Sequence, residues 1–269
     1  MNIFSTLWDD ASDQEQQKKA LENEEFLVYY QPKYNIQGKF PVLSSLEALV
    51  SWAHPEFGMM KPDSFIPQFE KNGLIQKLDR YVWKEAAEQM RKWKEETGSI
   101  IPVSVNVSRV DLHDPKIVDY LLHITKENGI PTNQFLLEIT ESAYIEESSV
   151  IMQSVKKLRQ AGFKIEMDDF GSGYSSLNLL ARLPIDALKL DIGFIQKIAT
   201  DKKSLYLVQV VLTVARQFKI PCIAEGVETK EQLDLLRKAG CEIVQGFYFS
   251  KAISPEEIIL LQKNGMKKF

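Results

Sequence analysis

Gly162-Phe-Lys-Ile-Glu-Met-Asp-Asp-Phe-Gly-Ser-Gly-Tyr-Ser-Ser176 decides how this 269-residue chain folds. Phe163 to Asp168 has the length and apolar character of a buried strand. Before it, Glu147 to Ala161 reads as a helix that stops at Gly162. After the Gly171–Gly173 loop, Ala187 to Asp191 is strand-like again. A strand sends successive side chains to opposite faces, so Asp168 and Asp169 can share a task only where the strand ends. The pair with its glycines suits a hard-cation site beneath a mobile loop. It equally suits an acidic turn that stops a strand.

Working outward, the same alternation covers the chain. Strand-like runs occupy Phe26 to Tyr34, Ser45 to Trp52, Ile101 to Ser108 and Phe135 to Thr140. Past the central run and Ala187 to Asp191 come Pro221 to Ala224 and Ile243 to Phe249. Helical spacing recurs between them. Leu74 to Lys94 carries Leu78, Val82, Ala86, Met90 and Trp93 on one face. Pro115 to Asn128 ends at Gly129, and Lys203 to Phe218 aligns Leu205, Val208, Leu212 and Ala215. Thr229 to Ala239 opens with a Thr cap and stops at Gly240. About eight strands alternating with helices predict an α/β fold, a TIM-like (β/α)8 barrel, with an open doubly wound sheet as the runner-up. Residues 1–24 read as a polar linker and helix, 25–262 as the barrel and 263–269 as a C-terminal tail.

Composition narrows the class of function. With 44% hydrophobic residues the chain can bury one large core, and a net charge of −4 gives no basic field for gripping DNA or RNA. The two cysteines, Cys222 and Cys241, read as buried reduced thiols. No apolar run is long enough to span a bilayer, so no membrane segment is expected and a cytoplasmic location is. The three histidines form no metal-ligand spacing, which leaves oxygen ligands and magnesium, manganese or calcium as the candidate ions.

The polar residues within or after the apolar runs have one address. They are Glu47, Asn106, Glu138 with Glu141, Asp168 with Asp169, Lys189 with Asp191, Glu225 with Glu228, and Gln245. In a barrel the C-terminal strand ends meet at the face that hosts the active site. An isolated acid at a strand end is ordinary; a polar group at that level on every strand after the first is not. Converging carboxylates repel unless cations neutralise them. Carboxylates, an Asn and a Lys, without Cys or His, suit hydrolysis at phosphorus, where two divalent ions roughly 3.5–4 Å apart bridge the reacting oxygens. No P-loop and no complete Gly-x-Gly-x-x-Gly is present.

At these residues the chain resembles the EAL-domain family, which hydrolyses cyclic di-GMP in bacteria. The resemblance runs from about Glu24 to Ile258. It rests on Tyr30-Gln-Pro-Lys33, Glu47-Ala-Leu49, Asn106-Val-Ser108, Glu138-Ile-Thr-Glu141 and the Asp168–Ser176 stretch. Leu183 to Asp191, Ala224-Glu-Gly-Val-Glu228 and Gln245-Gly-Phe-Tyr-Phe-Ser250 extend it in order. It implies a barrel whose first strand runs antiparallel to the rest. It implies two cations, magnesium or manganese with calcium inhibitory, held by Glu47, Asn106, Glu138, Asp168 and Asp169, with Glu225 a further ligand. Lys189, Glu47 and Glu225 are then catalytic, Lys189 orienting and helping deprotonate the attacking water; a salt-bridge role for Lys189 stands beside that one. Gln31, Leu49, Glu228 and Gln245 are expected to contact substrate, and Glu141 to support the Asp169–Ser176 loop. The product would be linear pGpG. A homodimer beside that loop, and an upstream sensory or diguanylate cyclase-like domain, are also expected.

The chain departs from the family pattern at three places. Ser51 stands where an Arg usually grips a substrate phosphate, Ile192-Gly193 replaces Arg-Ser, and Ala252 replaces Pro. Arg109 is a candidate substitute cation. The departures support an alternative, a receptor for cyclic di-GMP or a protein-interaction module without turnover. Another metal-dependent barrel hydrolase is a third reading.

Overall fold

The computed structural model describes residues 10–145, 149–171, 180 and 183–264. In chain order the strands are β1 (Phe26–Asn35), β2 (Val42–His54), β3 (Gly58–Met60), β4 (Val103–Asn106) and β5 (Phe135–Thr140). They continue as β6 (Lys164–Phe170), β7 (Ala187–Leu190), β8 (Cys222–Ala224) and β9 (Ile243–Gln245). The helices are α1 (Asp10–Glu22), α2 (Pro62–Lys71), α3 (Ile75–Thr97), α4 (Arg109–Leu112), α5 (Ile117–Glu127) and α6 (Glu141–Ile145). They continue as α7 (Ser149–Gln160), α8 (Ile192–Ile195), α9 (Lys202–Gln217), α10 (Lys230–Ala239) and α11 (Pro255–Asn264).

Strand order β1-β9-β8-β7-β6-β5-β4-β2, closed by β1 on β2, makes an eight-stranded barrel, as the sequence predicts. β1 is antiparallel to both of its neighbours, and the other barrel pairings are parallel. The connection between β1 and β2 spans only residues 36–41. A parallel pairing needs a crossover of about a dozen residues or more, so this short link dictates the reversal. β3 lies outside the barrel as a hairpin partner of β2.

Each strand's alternation separates two environments. In β4, Val103 and Val105 join the main apolar core with helix residues such as Trp83 and Leu121; in β6, Ile165 and Met167 do the same. The alternate residues Ser104, Glu138, Glu166, Asp168 and Lys189 are buried and polar. Helix-facing positions are therefore oily, whereas the barrel interior is charged near its C-terminal mouth. Leu78, Val82, Ala86, Met90 and Trp93 are buried along α3, which ends at left-handed Gly98. In α10, Thr229 and Gln232 form a capping box, and left-handed Gly240 ends the helix.

α2, β3 and α11 are not anticipated from the sequence. α2 carries Pro62 at its start, where proline is favoured, and a second proline, Pro67, inside. Its Phe65 and Phe69 join Ala20, Phe26, Trp52, Met60 and Leu78 in a second core beneath α1. α1 is tied to the barrel: Gln16 bonds His54 at 2.8 Å, and Gln14 donates to the Asn72 carbonyl at 3.3 Å. Among the described residues no helix is long and apolar enough to cross a membrane. Cys222 and Cys241 are buried and unpaired as disulfides.

Candidate active site

The Lys189 ammonium is the centre of the mouth. From β7 it reaches Glu138 Oε2 at 2.5 Å, Glu225 Oε1 at 2.8 Å, Asp168 Oδ1 at 3.0 Å and Glu47 Oε2 at 3.5 Å. The carboxylates come from β2, β5, β6 and the residue after β8. The convergence expected from strand ends is thus present at atomic distances.

The Asp168–Asp169 pair solves its alternation problem through the backbone. The β6–β7 register shifts between Met167 and Phe170, and Asp169 takes φ +56°. A left-handed aspartate is uncommon and such strain gathers at functional sites. Asp169 N–H donates to Asp168 Oδ1 at 2.8 Å. One oxygen each from Asp168, Asp169 and Glu225 lies within 4.8 Å of the others. Behind the turn, Gly171 N–H donates to Glu141 Oε2 at 3.2 Å; residues 172–176 of the loop that Glu141 is expected to support lie outside the described residues. Gly171 has φ +101°, and a Cβ there would sit 1.8 Å from the Phe194 ring.

A cleft of about 270 Å3 opens above Lys189, lined by Gln31, Glu47, Leu49, Asp168, Glu225, Glu228 and Gln245. Gln245 donates to Glu47 Oε2 at 2.6 Å and to Gln31 Oε1 at 2.9 Å, and Gln31 donates to the Ser250 carbonyl at 3.1 Å. Asn106 ends β4 in register with Glu138; it is exposed, and its carbonyl accepts from Trp83 Nε1 at 2.8 Å. Ser51 follows Leu49 on the same face of β2. Arg109 begins α4 and is exposed.

Burial dominates the electrostatics. It pushes Glu47 and Glu225 above the ordinary carboxylate range, and neighbouring carboxylates add to the effect. Burial and the Asp168 charge push Asp169 up to about 6. Glu138 goes the other way: burial opposes its ionisation, but Lys189 and Lys33 together hold it well below the usual range. Lys189 stays firmly an ammonium, because its carboxylates outweigh burial. This all-oxygen set fits a hard divalent cation. Gln245 Oε1, buried beside Glu47 without a hydrogen-bond partner, adds an unsatisfied acceptor there.

Several residues of the site were given no site role by the sequence. Ile192 and Phe247 line the cleft. Lys33 and Glu166 lie deeper: the Lys33 ammonium, fully buried, contacts Glu138 Oε1 and Glu166 Oε2, each at 2.6 Å. Glu166 was detectable, since it stands two residues before Asp168 and so shares its face.

Residues 14–252 match the sequence model of the EAL domain. The cyclic di-GMP phosphodiesterase PdeR of Escherichia coli (strain K12) is 38% identical over 249 residues, 93% of this chain and 36% of that protein. The bifunctional diguanylate cyclase/cyclic di-GMP phosphodiesterase MucR of Pseudomonas aeruginosa is 33% identical over 242 residues, 90% of this chain and 35% of that protein. The chain therefore spans about a third of the length of these curated relatives. A solved cyclic di-GMP complex of the PaMucR phosphodiesterase superposes with a TM-score of 0.85 at 32% identity, over 91% of this chain and 98% of that one. The EAL enzyme Bd1971, with cAMP and cyclic di-GMP bound, superposes with a TM-score of 0.88 at 29% identity, over 96% of this chain and 69% of that one.

Proposed function

The chain belongs to the EAL-domain family, and on that premise we propose that it hydrolyses cyclic di-GMP to linear pGpG. The observation that carries the proposal is the ring of Glu47, Glu138, Asp168 and Glu225 about Lys189 at the floor of the cleft. Glu47, Asn106, Glu138, Asp168, Asp169 and Glu225 would hold two divalent cations, magnesium or manganese, with calcium inhibitory. Those cations would supply Lewis-acid activation of water and neutralise charge building on the phosphate.

The chain's own groups do the rest. Gln31, Leu49, Glu228 and Gln245 shape the cleft and position one phosphodiester over the ring. If the ring carboxylates held cations, Lys189 would lose the partners that keep its proton. It would then be placed to orient the attacking water and accept its proton. Water oxygen bonds to phosphorus, the P–O3′ bond breaks, the released 3′ oxygen takes a proton from solvent, and Lys189 gives the water's proton up to solvent in return.

Cytoplasmic action, a homodimer and an upstream sensory or diguanylate cyclase-like domain complete the proposal. The homodimer is expected beside the Asp169–Ser176 loop; Tyr206, Leu207 and Val210, exposed together along α9, are a further apolar face open to a partner. Ser51 favours a second reading, a receptor that binds cyclic di-GMP without turnover. Incubation with cyclic di-GMP and manganese, with product identified by mass, separates the two. Formation of pGpG supports the enzyme, and retained binding without product supports the receptor. Glu47→Ala should lower turnover at least about a hundredfold, the upper end for groups that merely support a ligand. Near-normal activity in that variant would contradict the metal assignment.

A further inference from the structure

Lys33 is buried beneath the carboxylate ring, and nothing in the proposed reaction uses it. Its ammonium donates to Ser104 Oγ at 2.8 Å, Glu138 Oε1 at 2.6 Å and Glu166 Oε2 at 2.6 Å. An ammonium has three protons, so these partners satisfy it completely. They come from β4, β5 and β6, while Lys33 comes from β1, so the cluster bridges the barrel interior.

Stability alone does not account for this cluster. Barrel interiors are ordinarily filled by branched apolar side chains. Replacing a buried ion cluster by apolar groups of matched volume is often neutral or stabilising. The consequence for Glu138 is specific. Its Oε1 is committed to Lys33 below, while Oε2 faces Lys189 at the mouth. The terminal torsion of a glutamate is broad and roughly two-fold, so an unheld carboxylate could turn and present both oxygens.

We propose that Lys33, seated by Ser104 and Glu166, is a positioning residue that fixes Glu138 so that it offers the cation site one oxygen, Oε2. The proposal rests on the reading of Glu138 as a cation ligand. It also gives Lys33 a role in ion choice. Magnesium-sized ions demand compact octahedral geometry, which a single carboxylate oxygen suits. Calcium accepts carboxylates through both oxygens in a looser shell. A pinned Glu138 therefore favours the smaller ions over calcium.

The test is calorimetric titration of Mn2+ and Ca2+ into substrate-free protein, alongside separate kcat and KM measurements. The variants are Lys33→Met and Lys33→Met/Glu166→Leu. The double variant removes one charge of each sign and leaves no buried carboxylate stranded, so it guards against failure of the single variant to fold. Both should lose about 10- to 100-fold in Mn2+ affinity, the usual cost of removing a group that orients a ligand. Ca2+ affinity should fall less, and kcat should drop while KM for cyclic di-GMP stays nearly constant. Charge alone predicts the opposite for Lys33→Met, since deleting a nearby cation would tighten Mn2+ binding. Folded variants with wild-type Mn2+ affinity and an unchanged Mn2+/Ca2+ ratio would overturn the positioning role. A wild-type protein that binds no Mn2+ would overturn the metal reading and this proposal with it.

Discussion

Single residues decide whether the site binds, and at what pH. Ser51 lies on the face of β2 that carries Glu47 and Leu49. Ser51→Arg should restore a charge-assisted contact to a substrate phosphate, worth roughly 1.5–3 kcal/mol, and lower KM by about tenfold or more. An unchanged KM would show that the substitution is already compensated. Asp169 shares the pH dependence with Glu47 and Glu225: burial pushes the three carboxyls up to about 6, about 7 and about 8, from ordinary values of 3.8, 4.5 and 4.5. Between the ordinary and the raised value of each, the folded metal-free protein holds a proton that the unfolded chain has released. Its stabilising contribution is complete below the lower value and is lost as pH rises through the higher one. Metal-free Tm should therefore fall from about pH 4 to about pH 8, while Mn2+ affinity rises as the competing protons leave. Flat profiles of both quantities would contradict the placement. Most of this scale was legible: Glu47, Glu138, Asp168 and Glu225 each follow a strand pattern, and their strands converge. Lys33 was not, because it sits in a short motif whose partners, Glu138 and Glu166, are more than a hundred residues away in sequence.

At the scale of elements, periodicity made the barrel strands and larger helices readable, while local exceptions escaped it. The left-handed turn at Asp169 is such an exception, because only the β6–β7 register shift reveals it. The docking of α1 is another: Ala20 near its end joins the second core, but the contacts of its first turns are glutamines meeting His54 and Asn72, which leave no hydrophobic pattern. α2 was obscured by its prolines, although Phe65 and Phe69 have helical spacing. At Gly246 the end of β9 meets the segment after β8. A Cβ there would lie 2.3 Å from Val227 N and 2.2 Å from Val227 O. Val227 N–H also donates to the Gln245 carbonyl at 3.1 Å. Gly246→Ala should thus push these segments apart, lower unfolding stability by about 1–3 kcal/mol and displace Gln245 from Glu47. Urea unfolding and turnover measured together check this; a variant with unchanged stability and activity would contradict the close approach.

For the whole molecule, the fold joins an oily shell under the helices to a charged interior opening at one mouth. If the proposed dimer also uses α9, its face is Tyr206, Leu207 and Val210, exposed on a helix whose other side is buried through Val208, Leu212 and Ala215. Leu207→Glu/Val210→Glu should then turn a dimer into a monomer in light scattering, and a wild-type monomer at high concentration would remove that expectation. The claim on which the functional reading depends is that the carboxylates about Lys189 hold two cations. Anomalous diffraction at the manganese edge, from crystals grown with Mn2+ and cyclic di-GMP, tests it most directly. Two peaks bounded by Glu47, Asn106, Glu138, Asp168, Asp169 and Glu225 are expected. A cleft holding cyclic di-GMP with no manganese peak at the mouth would contradict it.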